Sequence, residues 1–443
     1  MAQDDHAGEA SAAPMPPRRW AKMRSSFASN HPVDLVALSV ILLLGAILRL
    51  LWITWLPVPP KSDFSALLRV ARAIAAGHWP ASSYGWAFHG VGYPLLLLPL
   101  TLVTDNLVPL RLENALFQLG MVVAVWWLTR SLFGRLPALI AALCAAIMPG
   151  IWMMATLIAK ENPVFLLFPL LMILLTRLES RGRQIAVGAL IALLVMIRPN
   201  FLSFLPIVGA IVAIAAFKQR TLAPLGWFGL GLAIVVVPIA GLNVINDGPP
   251  LPTAAAPWQL WEVNQEKENG GKYSLRGDWD SPFLGLPGGA GGGTARRVQA
   301  KLGFQFVVAN PVAAAHNAVR RHFRQWRTDT AGYVWSYEKA DRDLRNNVPF
   351  RARNIRDAND LAYVIILLLA LVGAIRASNV PGVGLMVLVP VAWALLTLPL
   401  GEGNIRYHVV LSPFLCVLAG AAFRPIPRLR QSRPWAPTIT GFR

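Results

Sequence analysis

Long apolar runs alternate with short basic turns along most of the chain. A bilayer-spanning helix needs roughly 20 mainly apolar residues. About ten stretches approach that length, near 34–56, 108–129, 136–156, 161–177, 184–199, 200–217, 222–242, 361–376, 380–400 and 408–423. The pattern predicts an all-α polytopic membrane protein.

The basic turns orient it. With the N-terminus in the cytoplasm, Arg130 and Arg135, then Arg177, Arg181 and Arg183, then Lys218 and Arg220, then Arg376 all fall on the cytoplasmic side. So does the tail with Arg424, Arg428 and Arg430, and every short basic turn then obeys the positive-inside rule. The organisation this predicts is a cytoplasmic tail at 1–33 and a transmembrane module at 34–242 with a first outer loop at 57–107. An outer loop or domain at 243–360, C-terminal transmembrane helices at 361–423 and a cytoplasmic tail at 424–443 complete it.

Both outer segments carry amphipathic pattern. In the first, Phe64, Leu67, Leu68, Ala71, Ile74 and Ala75 share one helical face, Arg69 and Arg72 fall away from it, and Gly77 and Pro80 end the helix. This reads as a short helix lying on the membrane, with Ser62 as its N-cap and Asp63 complementing its dipole. A carboxylate at the membrane boundary is nevertheless costly unless paired, so Asp63 is also a functional candidate.

In the second segment the run "GLPGGAGGGTARR" lacks the Gly-Lys-Ser/Thr and the preceding strand of a phosphate loop, and reads as a flexible connection. After Pro311, Val312, Val319, Phe323 and Trp326 form an apolar stripe. Arg320, Arg321, Arg324 and Arg327 project from its flank and far side, which suits a helix on a lipid surface. No internal repeat supports a transporter built from inverted halves.

Composition narrows the class. Of 443 residues 55% are hydrophobic and 14% charged, with a mean hydropathy of +0.50, which excludes a soluble domain. The net charge of +19 belongs to the orienting turns, so nucleic acid is not an expected partner. The polar start is too long and irregular for the charged region of a signal peptide. Cys144 and Cys416 offer neither a disulfide framework nor a thiolate metal site, and His78, His89 and His408 lack metal-ligand spacing. No metal and no cofactor are expected.

Charges converge instead at one membrane level. Arg49 lies in the outer half of the first span, and Lys61 and Asp63 follow it. Arg111 and Glu113 open the second span, Lys160 and Glu161 the fourth, Arg198 stands at the top of the fifth, and Arg406 enters the last. A cationic pocket with a few acids, open to lipid, would hold an anionic lipid headgroup and a polar acceptor.

The succession "SDFSALLRVARAIAAG", "GVGYPLLLLPL", "RLENALFQLG", "MPGIWMMATLIAKENPVFLLFPLLMILL", "VMIRPNFLSFLP", "ANPVAAAHNAVRRHFRQW" and "IRYHVVLSPFLCVLAG" spans residues 35–423. It resembles bacterial GT-C glycosyltransferases related to the protein O-mannosyltransferases and the lipid A aminoarabinose transferase. The resemblance implies an enzyme that moves a sugar from a polyprenyl-phosphate carrier to a lipid, glycan or protein acceptor. The reaction would take place on the outer face of a bacterial inner membrane. It implies that Asp63 is the catalytic base and that Arg49, Arg111, Arg406 and Tyr407 serve the donor. The mannosyltransferases have Asp-Glu where this chain has Asp63-Phe64, a departure that weakens the case for a protein hydroxyl as acceptor. Lys61 and Arg198 are donor-side candidates by depth and pattern.

The chemistry fits these residue types. An acceptor hydroxyl needs a base, and guanidinium groups stabilise the charge that grows on a leaving phosphate. A single displacement would invert the anomeric centre, as the resemblance implies. Glu113 or Glu161 acting as nucleophile would retain it. His89, Trp86 and Tyr93 are expected near the acceptor or carrier entrance, where the two aromatic rings could stack on a sugar. The rival classes are a lipid-linked sugar flippase or transporter, a polymerase or ligase with a diphosphate-linked donor, and a nonenzymatic assembly subunit.

Overall fold

A computed structural model of the chain describes residues 32–80, 89–248, 250–251, 255–264, 293–380, 382–397 and 404–425. The polar N-terminal segment, Trp86, the glycine run and the basic C-terminal tail lie outside the described residues or at their edge. Among the described residues all regular structure is helical.

Helix α1 (Pro32–Trp55) is followed by α2 (Asp63–Ala75), α3 (Gly92–Thr101) and α4 (Leu107–Phe133). Then come α5 (Arg135–Ile147), α6 (Glu161–Leu175), α7 (Arg181–Ile197), α8 (Leu205–Lys218) and α9 (Ala223–Ile245). The chain continues through α10 (Ala255–Val263), α11 (Gly293–Ala309), α12 (Pro311–Trp326), α13 (Ala352–Arg376), α14 (Val383–Thr397) and α15 (Ser412–Ala421). The surface helix expected from Asp63 is α2, with the predicted face buried through Phe64, Leu67, Leu68 and Ala71.

Among the described residues five helices are long and apolar enough to cross a membrane: α1, α4, α9, α13, and α8 together with the turn that precedes it from Pro199. A sixth candidate span is broken, because α5 and the segment Pro149–Thr156 meet at a 50° bend. The stretches expected near 161–177, 380–400 and 408–423 are shorter apolar helices. Helix α15 shows why it can be short, since all ten of its residues are buried. It is a core helix enclosed by protein, with no lipid to span. Helix α1 is the opposite case: Val36, Val40, Leu43, Ile47 and Leu50 are all at least 45% exposed along one stripe, an apolar face that only lipid would cover.

Glycines permit the closest helix contacts. A Cβ on Gly188 of α7 would lie 2.1 Å from the carbonyl oxygen of Phe228, and one on Gly231 of α9 would lie 2.0 Å from that of Ile185. Only hydrogen fits there, as in the small-residue interfaces by which membrane helices pack.

The broken span explains one candidate. Its bend strands carbonyls that a membrane interior cannot hydrate. Arg49 Nη1 donates to Ala146 O at 3.1 Å and to Gly45 O at 2.8 Å, while Arg49 Nε donates to Gln118 Oε1 at 2.8 Å. Gln118 in turn donates to Ile151 O and Asn162 Oδ1, so one polar network stitches α1, α4, α6 and both halves of the break. Toward the other end of α1, roughly 22 Å away at 1.5 Å per residue, Asp34 is buried between Arg130 and Arg135 at 2.6 Å from each. The two basic residues expected at that turn are thus held by an acid.

Two local expectations are corrected. Ser62 is not a side-chain cap: its φ is 54°, its carbonyl receives the first amides of α2, and its hydroxyl donates to Asp63 Oδ1 at 3.3 Å. Arg321 does not flank the stripe of α12 but is buried, with Nη1 donating to Val263 O at 2.7 Å. Helix α12 therefore has a protein-facing side where α10 ends.

Candidate active site

The start of α2, the start of α6, the end of α7 and the turn before α15 meet at one point. Asp63 opens α2, Glu161 opens α6, Arg198 follows the last residue of α7, and Arg406 and Tyr407 lie in the turn. Arg406 is the hub. Its Nη1 lies 3.0 Å from Asp63 Oδ2, its Nε donates to Glu161 Oε1 at 3.0 Å, and its Nη2 donates to Glu161 Oε2 at 3.2 Å. The grip on Glu161 is bidentate, the strongest form of carboxylate recognition.

Arg198 completes the buried part. Its Nη1 donates to Glu161 Oε1 at 3.2 Å and its Nη2 to Arg406 O at 2.9 Å, so it braces both the acid and the turn that carries the hub. Tyr407 stacks on it, with the guanidinium carbon 5.0 Å from the ring centroid. Phe64 and Trp335 lie at 4.9 and 5.4 Å from the guanidinium carbon of Arg406. These rings exclude water and strengthen the charge pairs.

Exposure separates the members. The side chains of Glu161, Arg198 and Arg406 are 0%, 3% and 6% exposed, whereas that of Asp63 is 33% exposed. Asp63 is the more exposed of the two carboxylates in the cluster. Burial raises its pKa, but Arg406 and the nearby Lys160 outweigh this and hold it below the usual carboxylate range. His89 Nε2 lies 3.8 Å from Asp63 Oδ1. Burial first and Lys160 next hold His89 down to about 3, so it is neutral near pH 7 and the contact is not a charge pair there.

Lys160 sits beside the cluster, and burial and the cation of Arg198 lower its pKa to about 8. Asp63 and Glu161 set against Arg198, Arg406 and Lys160 leave a surplus of one positive charge. A sugar phosphodiester carries one negative charge.

Other candidates are held elsewhere. Arg49 is fully buried in the network at the span break. Arg111 donates from Nε to Thr156 O at 3.2 Å and from Nη2 to Val58 O at 2.8 Å, serving main-chain carbonyls. Lys61 pairs with Asp341 at 3.0 Å and so ties the entry of α2 to the 339–341 segment. Tyr93 is enclosed, its hydroxyl donating to Asn114 Oδ1 at 2.7 Å, which corrects the expectation that it stacks on a sugar. Glu113 Oε2 is buried with no hydrogen-bond partner among the described residues. No group of three or more potential metal ligands occurs among the described residues.

Residues 91–241 match the family model of dolichyl-phosphate-mannose-protein mannosyltransferases. The match covers about a third of the chain and supports the resemblance to GT-C membrane glycosyltransferases of mannosyltransferase type. The matched stretch contains Lys160, Glu161 and Arg198, while Asp63 and Arg406 lie on either side of it. The mannosyltransferase-type stretch thus contributes the buried acid, and the flanking segments bring the base candidate and the hub. No curated protein matches the chain in a sequence search.

Phe64 and Trp335 were not among the sequence candidates, and Lys160 was named among the converging charges without a role. Lys160 was legible, since it adjoins Glu161 at the mouth of a span. Trp335 lies in the long connection before α13, where no pattern marks it.

Proposed function

We propose that the protein transfers a sugar from a polyprenyl-phosphate carrier to a hydroxyl-bearing acceptor at the outer face of the bacterial inner membrane, by a single inverting displacement. Both termini would then be cytoplasmic. The observation that carries this reading is the contact between a reachable carboxylate, Asp63, and a buried guanidinium, Arg406, inside a cluster with one surplus positive charge.

Asp63 is the base. It takes the acceptor hydroxyl proton as the bond to the anomeric carbon forms, a role typically worth about 10²–10⁴-fold. Arg406 and Lys160 receive the donor phosphate, on which charge grows as the glycosidic bond breaks. Glu161 and Arg198 do not touch the reactants; they fix Arg406. In an in-line displacement the base and the leaving phosphate lie on opposite sides of the sugar. A donor seated this way would part the direct Asp63–Arg406 contact of 3.0 Å. A bound donor places its phosphate on Arg406 and its sugar between the two groups. Freed from the guanidinium, Asp63 would be a stronger base.

The test is transfer of labelled sugar in membranes holding the full chain, from a panel of polyprenyl-phosphate sugars and their diphosphate-linked counterparts. The proposal expects transfer from a monophosphate-linked donor, with inversion at the anomeric carbon. Transfer from diphosphate-linked donors alone would point to the polymerase or ligase class.

A further inference from the structure

The turn that carries Arg406 also carries a buried histidine that the transfer chemistry leaves unused. His408 is 0% exposed and Asp329 is 1% exposed, and His408 Nε2 lies 3.3 Å from Asp329 Oδ1. Neither ring nitrogen of His408 and neither carboxylate oxygen of Asp329 makes a hydrogen bond among the described residues, so the two are joined by this close polar contact alone. A buried polar couple with spare capacity costs stability relative to apolar side chains of the same shape. Its retention calls for a purpose.

Four parts of the fold converge on it. The His408 ring lies between Trp326 at 5.4 Å and Tyr363 of α13 at 5.5 Å. Tyr363 donates its hydroxyl to Trp326 O at 3.1 Å, and Thr328 donates to Asp360 Oδ1 at 2.5 Å, so the segment bearing Asp329 is pinned to α13. The carboxylate of Asp329 in turn fills the space over Gly150 in the broken span, where a Cβ would lie 2.2 Å from Oδ2. Within the turn, Asn404 Oδ1 accepts from Arg406 N at 3.0 Å and Leu411 N donates to His408 O at 2.8 Å. Those local bonds shape the turn; the His408 side chain anchors it to the bundle.

We propose that His408 and Asp329 are positioning residues, a couple that holds the 404–411 turn so that Arg406 faces Asp63 and Glu161 in the geometry a donor phosphate requires. This rests on the function proposed above. Small displacements of a charge-stabilising group forfeit much of its effect, and the couple supplies rigidity on the side of the turn that Arg198 does not brace.

The experiment has two readouts on the full chain in nanodiscs. The first is donor kinetics for His408→Ala, Asp329→Asn, Arg406→Lys and the double variant His408→Ala/Arg406→Lys. His408→Ala should raise donor KM about tenfold or more, whereas Asp329→Asn, which keeps a polar partner, should stay near wild type. The double variant should be little worse than Arg406→Lys alone, because residues acting through one group do not add. Additive losses would overturn the proposal. The second readout needs no sugar: maleimide labelling of Ile405→Cys, with the parent chain as blank. Adding His408→Ala should speed labelling about tenfold as the turn loosens. Unchanged labelling would overturn the couple even if the transferase reading stands, and faster labelling without any sugar transfer would overturn the transferase reading alone.

Discussion

Arg406 and Asp63 are 343 positions apart in the chain, yet their side chains meet at 3.0 Å. Glu161 fastens Arg406 from the other side, so one guanidinium joins the first amphipathic helix to the last buried turn. The consequences of that arrangement are open to measurement.

Glu161 is the buried counterion of two arginines. Glu161→Gln removes the acid that Arg198 and Arg406 share and leaves Asp63 as the carboxylate on Arg406, at a position where Glu161 is 0% exposed. Breaking a buried ion pair on one side costs about 3–5 kcal/mol. The variant should show a markedly lower thermal midpoint and weak donor binding. A midpoint equal to wild type would mean that the cluster is more hydrated than its burial indicates.

Lys160 sets an alkaline limit. Its folded-state pKa is about 8, below the ordinary lysine value, so it loses its proton as pH rises through about 8. If it holds the donor phosphate, kcat/KM for donor should fall above that pH, since this parameter reports the free enzyme. Lys160→Arg, charged throughout, should remove the limb. A limb that persists in Lys160→Arg would assign the titration to another group.

His89 gives a stability signature in the acid range. Its pKa is about 3 in the folded chain against 6.5 for an ordinary histidine, so below pH 6.5 the unfolded chain binds the proton first. Its contribution to stability is complete above 6.5 and is lost as pH falls toward 3, at about 1.4 kcal/mol per pH unit. His89→Asn, which cannot charge, should therefore show a shallower drop in thermal midpoint between pH 7 and pH 5 than wild type. Parallel drops would place the titration elsewhere.

The α7–α9 contact is a packing test independent of chemistry. Gly188→Ala puts a methyl 2.1 Å from Phe228 O and should cost about 1–3 kcal/mol as the helices separate. Gly209→Ala in α8 meets open space and should be neutral or stabilising. Equal effects of the two would contradict the close approach.

The apolar runs and basic turns made the membrane class legible, and most of the buried face of α2 was readable from its periodicity, through Phe64, Leu67, Leu68 and Ala71. Counting spans was harder. A buried helix such as α15 and a lipid-facing one such as α1 are both apolar all along, and length alone separates them poorly. The site was legible through its charges: Asp63, Glu161, Arg198 and Arg406 share one depth on separate helices, and the structure brings them together. Arg49 and Arg111 share that depth too, but a span break and a helix end need donors for stranded carbonyls. No sequence pattern distinguishes an arginine doing that from one awaiting phosphate. Trp335 and Asp329 act through contacts that exist only after folding.

The most direct measurement is single-turnover sugar transfer by Asp63→Asn, using a donor that wild type accepts, with donor binding and thermal midpoint followed in parallel. The account predicts a loss of about 10²–10⁴-fold in transfer with donor binding retained. Transfer at the wild-type rate would contradict it and reduce Asp63 to a structural partner of Arg406.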